Sequence, residues 1–349
     1  MKPHVSIIIP IHNGGQWLDS CFESIMNQTA IGKLKMEVCI CEDASSDNTS
    51  ELLDQWLPSF KLKEITLHVY KNTTGSPCGV GYAKNKAVSI SSGDYLCFQD
   101  IDDIMLPNRI LSQYLHAIQE PKNTIVGSKF IREPPGSTQR YTYWANNLNC
   151  DDLSLQIYTS HGPTIIMPTW FCHRLVFESV GGFSEDGKGT PEDLIFFYKH
   201  LDLGGYLSRT DESLLIYNYH PNATTFSIDE NLIWKLRLER LQQLVLCKWA
   251  QFTIWNAGKQ GRRFYNCLSL ENRTKVVALC DVNVKLIGRK YIPFCAKTRT
   301  TGHHVPIIHF KEAQPPLVIC VKMDMTNGCF EDNLKSLNLV EGDDYVMFS

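Results

Sequence analysis

One short stretch limits this chain more than any other. Tyr95-Leu96-Cys97-Phe98 is apolar and then breaks off into Gln99, Asp100, Ile101, Asp102 and Asp103. The apolar part reads as a buried strand. Carboxylates crowded at its end repel one another, so they need a cation among them or an exposed turn to sit in. Hard divalent cations take oxygen ligands and bridge to phosphates, and open α/β sheets bind ligands beyond the carboxyl ends of their strands. The triplet alone leaves two readings: a metal–diphosphate site, or an acidic turn capping the helix that begins near Leu106-Pro107.

The flanking pattern favours the first. Val5-Ser6-Ile7-Ile8-Ile9-Pro10 reads as a strand covered on both faces, as in parallel sheets. His12-Asn13-Gly14-Gly15 follows, then a helix carrying Trp17, Leu18, Cys21, Phe22 and Ile25. A second strand at 36–41 ends in the polar turn 42–49, which caps a helix through Leu52, Leu53 and Trp56. A third strand spans 65–70, and Gly79-Val80-Gly81-Tyr82-Ala83-Lys84-Asn85 opens the helix leading to the acidic strand. This alternation predicts a doubly wound α/β half that binds a nucleotide.

The ordered motifs carry a resemblance. Ser6-Ile7-Ile8-Ile9-Pro10 with Asn13, Glu42-Asp43 with Ser45 and Asp47-Asn48-Thr49, Ala83-Lys84-Asn85, Gly93-Asp94-Tyr95-Leu96 and Asp100-x-Asp102-Asp103 resemble the family-2 glycosyltransferases of GT-A fold. Gly181-Gly182-Phe183 with Pro191-Glu192-Asp193-Leu194, and Tyr217-Asn218-Tyr219-His220-Pro221, are similar to that family's acceptor-side and closing motifs. The resemblance implies that Pro10, His12, Asn13 and Asp43 hold the nucleoside of a UDP-sugar donor and that Asp100 contacts its ribose and diphosphate. It further implies that Asp102, with His220, ligates Mn²⁺ or Mg²⁺, that Lys84 neutralises phosphate charge, and that Asp193 is the general base of an inverting transfer. The residues themselves keep alternatives open. Asp43 is also placed to cap a helix, Glu192 rivals Asp193 as base, and Pro191 marks a helix start whose dipole favours either carboxylate. His220 and Lys84 have structural readings too, and Trp170 and Phe171 are assigned to the core. Gln99 stands where the family usually has leucine, a departure from which little effect is expected.

At 349 residues two domains are expected, and 43 % hydrophobic residues supply a large core. The α/β glycosyltransferase domain is expected at 1–230, a linking helix at 231–250, and a small Rossmann-like α/β domain at 251–349. No apolar run reaches the ~18–20 residues of a membrane span. The first strand begins almost at Met1, and the 13 cysteines are odd in number and scattered. Both point to a cytoplasmic protein with reduced thiols. No protein partner is evident.

The net charge of −3 conceals an asymmetry. Residues 1–230 carry 17 Lys and Arg against 27 Asp and Glu, whereas residues 231–311 carry 15 against 3. A basic segment beside Trp249, Trp255, Tyr265 and Tyr291 points to a polyanion with unpaired bases, though a solvated basic surface is the plainer reading. Within it, Asn256-Ala257-Gly258-Lys259-Gln260-Gly261 resembles a dinucleotide fingerprint with Asn256 in the first glycine position and Asp281 twenty residues beyond Gly261. Lys259, Arg262 and Arg263 at that turn are candidates for RNA phosphate. The stretches 79–85, 162–172 and 252–263 are similar to a cytosolic subgroup of the family that acts on tRNA. That likeness implies UDP-galactose as donor and queuosine in tRNA(Tyr) as acceptor. Two other classes stay in view: a transferase that adds N-acetylglucosamine to glycans, and a nucleotide-sugar-binding protein without turnover.

Overall fold

The computed structural model describes residues 4–159, 162–295, 300–323 and 325–348. They form two compact units, one of residues 1–153 and 162–229, the other of residues 154–161 and 230–349.

The first unit is built on a sheet of eight strands: β1 (Val5–Ile11), β2 (Met36–Glu42), β3 (Thr66–Lys71), β4 (Tyr95–Phe98), β5 (Ile104–Met105), β6 (Thr124–Glu133), β7 (Phe171–His173) and β8 (Tyr206–Asn218). Their order is β3-β2-β1-β4-β7-β6-β8-β5. The pairs β1–β2, β2–β3 and β1–β4 are parallel, with Ile8 opposite both Cys39 and Phe98. All seven residues of β2 are buried, which is why Val38 to Cys41 run apolar without alternation. Glu37 is tolerated inside because Ser6 Oγ and the Ser92 and Gly93 amides donate to it.

This order decides where the site lies. Because β1 is flanked by β2 and β4 in parallel, the turns at 10–15, 42–49 and 99–103 leave the sheet at the same edge. Strand β8 arrives from the far side and pairs antiparallel with β5, Ile216 opposite Ile104, which delivers residues 217–220 to the acidic turn. The helices cover both faces. Leu18, Phe22 and Ile25 of the helix Gly15–Met26 join Leu53 and Phe60 of the helix Thr49–Leu62. A second aromatic layer surrounds Trp170, which is wholly buried among Phe98, Phe183, Phe196 and Phe197. Trp170 and Phe171 are thus core residues, each burial stabilising by a few kcal/mol.

The second unit has a separate sheet. Its strands are β9 (Phe252–Trp255), β10 (Val276–Asp281), β11 (Lys290–Tyr291), β14 (Val305–His309), β15 (Leu317–Ile319) and β16 (Tyr345–Met347), with β12 (Phe294–Cys295) and β13 (Thr300–Thr301) forming a ribbon apart. The order is β11-β14-β10-β9-β15-β16, and every pair but the edge pair β11–β14 is parallel. The chain fills one side from β9 outward and then crosses to the other, the Rossmann-type winding. Gly261 lets the helix Lys259–Cys267 press onto the turn, since a Cβ there would lie 1.8 Å from the Asn256 carbonyl oxygen. The helix Glu230–Leu241, expected from the sequence as a linker, is part of this unit. So is the segment 154–161, in which the Tyr158 carbonyl accepts from Arg237 and the Gln156 amide reaches Glu341. No helix among the described residues is long and apolar enough to cross a membrane.

Candidate active site

The turns after β1 and β2 are knitted together. Asn13, with a left-handed φ of 52°, donates its amide to Ser45 Oγ, and its side-chain oxygen accepts from the Ser46 amide at 2.8 Å. The His12 ring contacts the Asp43 carbonyl at 2.8 Å, and the Gly15 amide donates to Asp47. His12 and Asn13 stay exposed and Pro10 is half-buried, so all three border open space.

Asp43 is 2 % exposed. Its carboxylate accepts from Asn72 Nδ2 at 2.6 Å, from the Cys78 amide at 2.9 Å and from the Gly79 amide at 2.8 Å. It therefore clamps the loop 72–79 as well as lying beside the turn 10–15. The helix-capping reading falls instead to Asp47, which accepts from Thr49 and Gly15. Burial pushes this carboxyl up, but those bonds win and hold it below its usual range.

The acidic turn gathers as expected. Asp100, Asp102 and Asp103 offer oxygens that lie within 4.8 Å of one another. Asp100 is pushed up to about 6 by burial, with Lys84 opposing and the neighbouring Asp102 and Glu192 charges adding. Asp103, 1 % exposed, is held well above the carboxylate range by burial and by the other two aspartates. Its Oδ1 accepts from the Asn218 amide at 2.9 Å, while Oδ2 is buried without a partner. Asp102 Oδ2 lies 2.8 Å from His220 Nε2, and Trp17 covers the His220 ring at a centroid distance of 5.0 Å. The two residues expected to share a metal are thus brought together.

Lys84 departs from expectation. It is 3 % exposed, so its charge is not presented to solvent. Its ammonium donates to Glu192 at 3.0 Å, with Met167 Sδ at 3.1 Å. Burial pulls its pKa down, but the carboxylates of Glu192, Asp100 and Asp193 outweigh this and hold it above the ordinary lysine value. The reason is local charge: the cation is spent on the buried acids beneath the cleft. The same pair removes Glu192 as a free base.

Asp193 is in the first turn of the helix Glu192–Asp202, where its Oδ1 accepts from the Leu194 amide at 2.7 Å. Burial and the Glu192 charge push it up to about 7, against the pull of Lys84. Asp100 and Asp193 both feel Lys84, so the two sides of the site share one buried cation. The turn can therefore gather positive charge at one side while a carboxyl poised near neutrality stands at the other.

A profile described as Glycosyl transferase family 2 matches residues 6–181, just over half of the sequence. The chain belongs to glycosyl transferase family 2. This glycosyltransferase is 28 % identical to GlyG, a glycosyltransferase of Streptococcus pneumoniae, over 156 residues covering 45 % of this chain and 49 % of GlyG. The glycosyltransferase EpsJ of Bacillus subtilis is 22 % identical over 275 residues, 76 % of each chain. Chondroitin synthase of Pasteurella multocida is 33 % identical over 108 residues, 31 % of this chain and 10 % of the synthase. The chain thus spans about half the length of GlyG. Among solved structures, S. aureus TarS 1–349 in complex with UDP-GlcNAc has a TM-score of 0.52 at 20 % identity, over 69 % of this chain and 67 % of that one. The shared architecture is the GT-A fold.

In the second unit of the glycosyltransferase, the dinucleotide reading loses its ribose acid. Asp281 accepts from the Ala257 amide at 2.8 Å and from the Asn283 amide at 3.0 Å, so its carboxylate is committed to the turn. Asn256 fills the place of the first glycine by accepting from the Gly258 amide at 2.7 Å and donating to the Cys320 carbonyl. A hollow of about 830 Å³ is lined by Lys259, Arg262, Arg263, Asn266 and Tyr291 among others. Lys259 is exposed, Arg262 lies over Tyr291 at 5.2 Å, and Arg263 is spent on Trp234 at 3.9 Å and on Asn231.

Sequence reasoning missed the buried chain Gln99–Arg109–Gln113 beneath the acidic turn. Arg109 is fully buried and donates to Gln99 Oε1 at 2.5 Å, to the Phe98 and Pro168 carbonyls, and to Gln113. The signal was a polar residue inside an apolar strand end, followed by an arginine at the start of the next helix. Asn218 was quoted only as part of a motif, yet it binds both Asp102 and Asp103.

Proposed function

We propose that this glycosyltransferase moves galactose from UDP-galactose to the cyclopentene diol of queuosine in cytoplasmic tRNA(Tyr), with inversion at the anomeric carbon. The transfer chemistry rests on one observation: Asp100 of the acidic turn, which also carries the Asp102–His220 pair, and an Asp193 poised at about 7 both feel the one buried cation, Lys84. The residues fit a divalent ion. Clustered carboxylate oxygens and an imidazole nitrogen suit Mn²⁺ or Mg²⁺, and the unpartnered Asp103 Oδ2 leaves an unused oxygen beneath them. Such an ion, held by Asp102 and His220, would draw charge off the departing diphosphate.

The chain's own groups supply the rest. Pro10, His12 and Asn13 border the place for the nucleoside, and Asp43 sets the loop beside it. Asp193 accepts the proton of the incoming hydroxyl. As that oxygen bonds to the anomeric carbon, the bond to the diphosphate oxygen breaks and UDP departs with its electron pair. An α-linked donor gives a β-linked product.

The acceptor follows from the tRNA-acting subgroup that the chain resembles and from the basic charge of residues 231–311. Lys259 is exposed at that hollow and Arg262 lies across Tyr291 beside it, with Arg263 as a structural neighbour. A second reading has N-acetylglucosamine passing from UDP-GlcNAc to a glycan, favoured by the UDP-GlcNAc in the TarS complex and by the polysaccharide in the synthase's name. The deciding experiment incubates the protein and Mn²⁺ with tRNA pools and separate UDP-sugars, then digests to nucleosides. A hexose mass gain on queuosine with UDP-galactose supports the first reading. Transfer only to a β-galactoside from UDP-GlcNAc replaces it with the second.

A further inference from the structure

We propose that Gln99 is a positioning residue that sets the shape of the acidic turn before a cation arrives. It rests on the metal reading above. Asp100, Asp102 and Asp103 repel one another, so an unrestrained turn would splay them apart and binding an ion would have to draw them together again. The backbone of this turn is held instead by side-chain amides. Gln99 Nε2 donates to the Asp100 carbonyl and to the Asp103 carbonyl, each at 2.8 Å, which brackets the triplet. Asn218 Nδ2 donates to the Asp102 carbonyl between them at 2.5 Å.

Gln99 is itself fixed. It is fully buried, and its oxygen accepts from Arg109 Nη1 at 2.5 Å. Arg109 cannot drift, because its other nitrogens are bound to two carbonyls and to Gln113. The order of contacts is helix, guanidinium, amide, turn. A leucine at 99 would fill the space and leave the Asp100 and Asp103 carbonyls without this donor. Ordering of the turn would then fall on the binding step and weaken it.

The test is a direct titration of Mn²⁺ with UDP present, reading free ion by its paramagnetic resonance, on the full chain and on Gln99→Met and Gln99→Glu. Gln99→Met keeps the length and removes the donor. Gln99→Glu keeps an acceptor for Arg109 and, ionised against that guanidinium, replaces the donor by a second acceptor oxygen and a charge. A Kd that rises although negative charge has been added beside the site decides the matter if the first variant does not fold. Groups that orient metal ligands from behind are worth about 10–100-fold in affinity. Mn²⁺ Kd is expected to rise by about 10-fold or more, with kcat recovering at saturating Mn²⁺. A merely structural role would lower the melting temperature and leave that Kd unmoved. An unchanged Kd in a folded variant overturns the proposal. A wild-type chain that binds neither Mn²⁺ nor Mg²⁺ overturns the metal reading itself, and this outcome is distinct because it appears before any substitution.

Discussion

Asp193→Asn should cost the enzyme its chemistry and make the protein more stable. The carboxyl moves from an ordinary 3.8 to about 7 on folding. A raised acid binds its proton more tightly when folded, so the folded state loses stability as pH climbs from the unfolded value through the folded one. Below both values the two states are equally protonated and the effect vanishes. Above about pH 7 the folded chain carries the cost of ionising this half-buried carboxyl, at most on the order of 4 kcal/mol for a rise from 3.8 to about 7 and less where solvent reaches it. Asparagine keeps the shape and removes that charge. Denaturant unfolding of the donor-free protein should therefore show Asp193→Asn gaining up to roughly 4 kcal/mol near pH 8 and nothing near pH 3. Transfer should fall by about 10²–10⁴-fold, the usual worth of a general base. Lower stability than wild type near pH 8 would refute the buried-charge argument. Undiminished transfer would move the base elsewhere, with Glu192 freed from Lys84 as the first suspect.

Other outcomes follow from the same geometry. Since Asp193 must be ionised to accept a proton, kcat/KM should rise about tenfold per unit on the acid side and level off above about pH 7; a flat profile from about pH 5 to pH 8 would contradict this. Asp102→Ala should abolish metal-dependent transfer while the circular-dichroism melt stays close to wild type, because the side chain is 24 % exposed and its main partner is His220. Activity surviving in that variant with chelator added would remove the metal role. Lys259→Glu with Arg262→Glu should weaken tRNA binding and flatten its dependence on salt concentration, as each lost phosphate contact lowers the slope by about one; unchanged affinity would return the second unit to a scaffold.

The gathering of the turns at 10–15, 42–49 and 99–103 could be read from the chain because it depends on strand ends. Ile7 to Ile9, Val38 to Cys41 and Leu96 to Phe98 are apolar without interruption, and a buried parallel sheet is the simplest way to satisfy such runs. Once the strands are placed, Asn13, Asp43 and Asp102 must meet at one edge. Asp193 was legible for a similar reason, since Pro191 marks the helix start that aims it. The unread features depend on partners far apart in sequence. Nothing near Lys84 announces Glu192, and nothing near Asp43 announces the amides of Cys78 and Gly79. Gln99 was read as a tolerated departure because its partner Arg109 lies on the next helix. Strands β6 and β7 escaped notice too, since their pairing is set by the fold around Trp170 rather than by local pattern.

The segment 154–161 has a consequence for anyone who wishes to dissect the molecule. It belongs to the second unit while both of its flanks belong to the first, so the polypeptide passes between the units at three places. A single scission near residue 230 would not yield two whole pieces. The amino-terminal fragment would keep a tether whose Tyr158 carbonyl has lost Arg237, and the carboxyl-terminal fragment would lack the strand of chain that Arg237 and Glu341 grip. Limited proteolysis should accordingly release stable halves only after cuts on both sides of that tether as well.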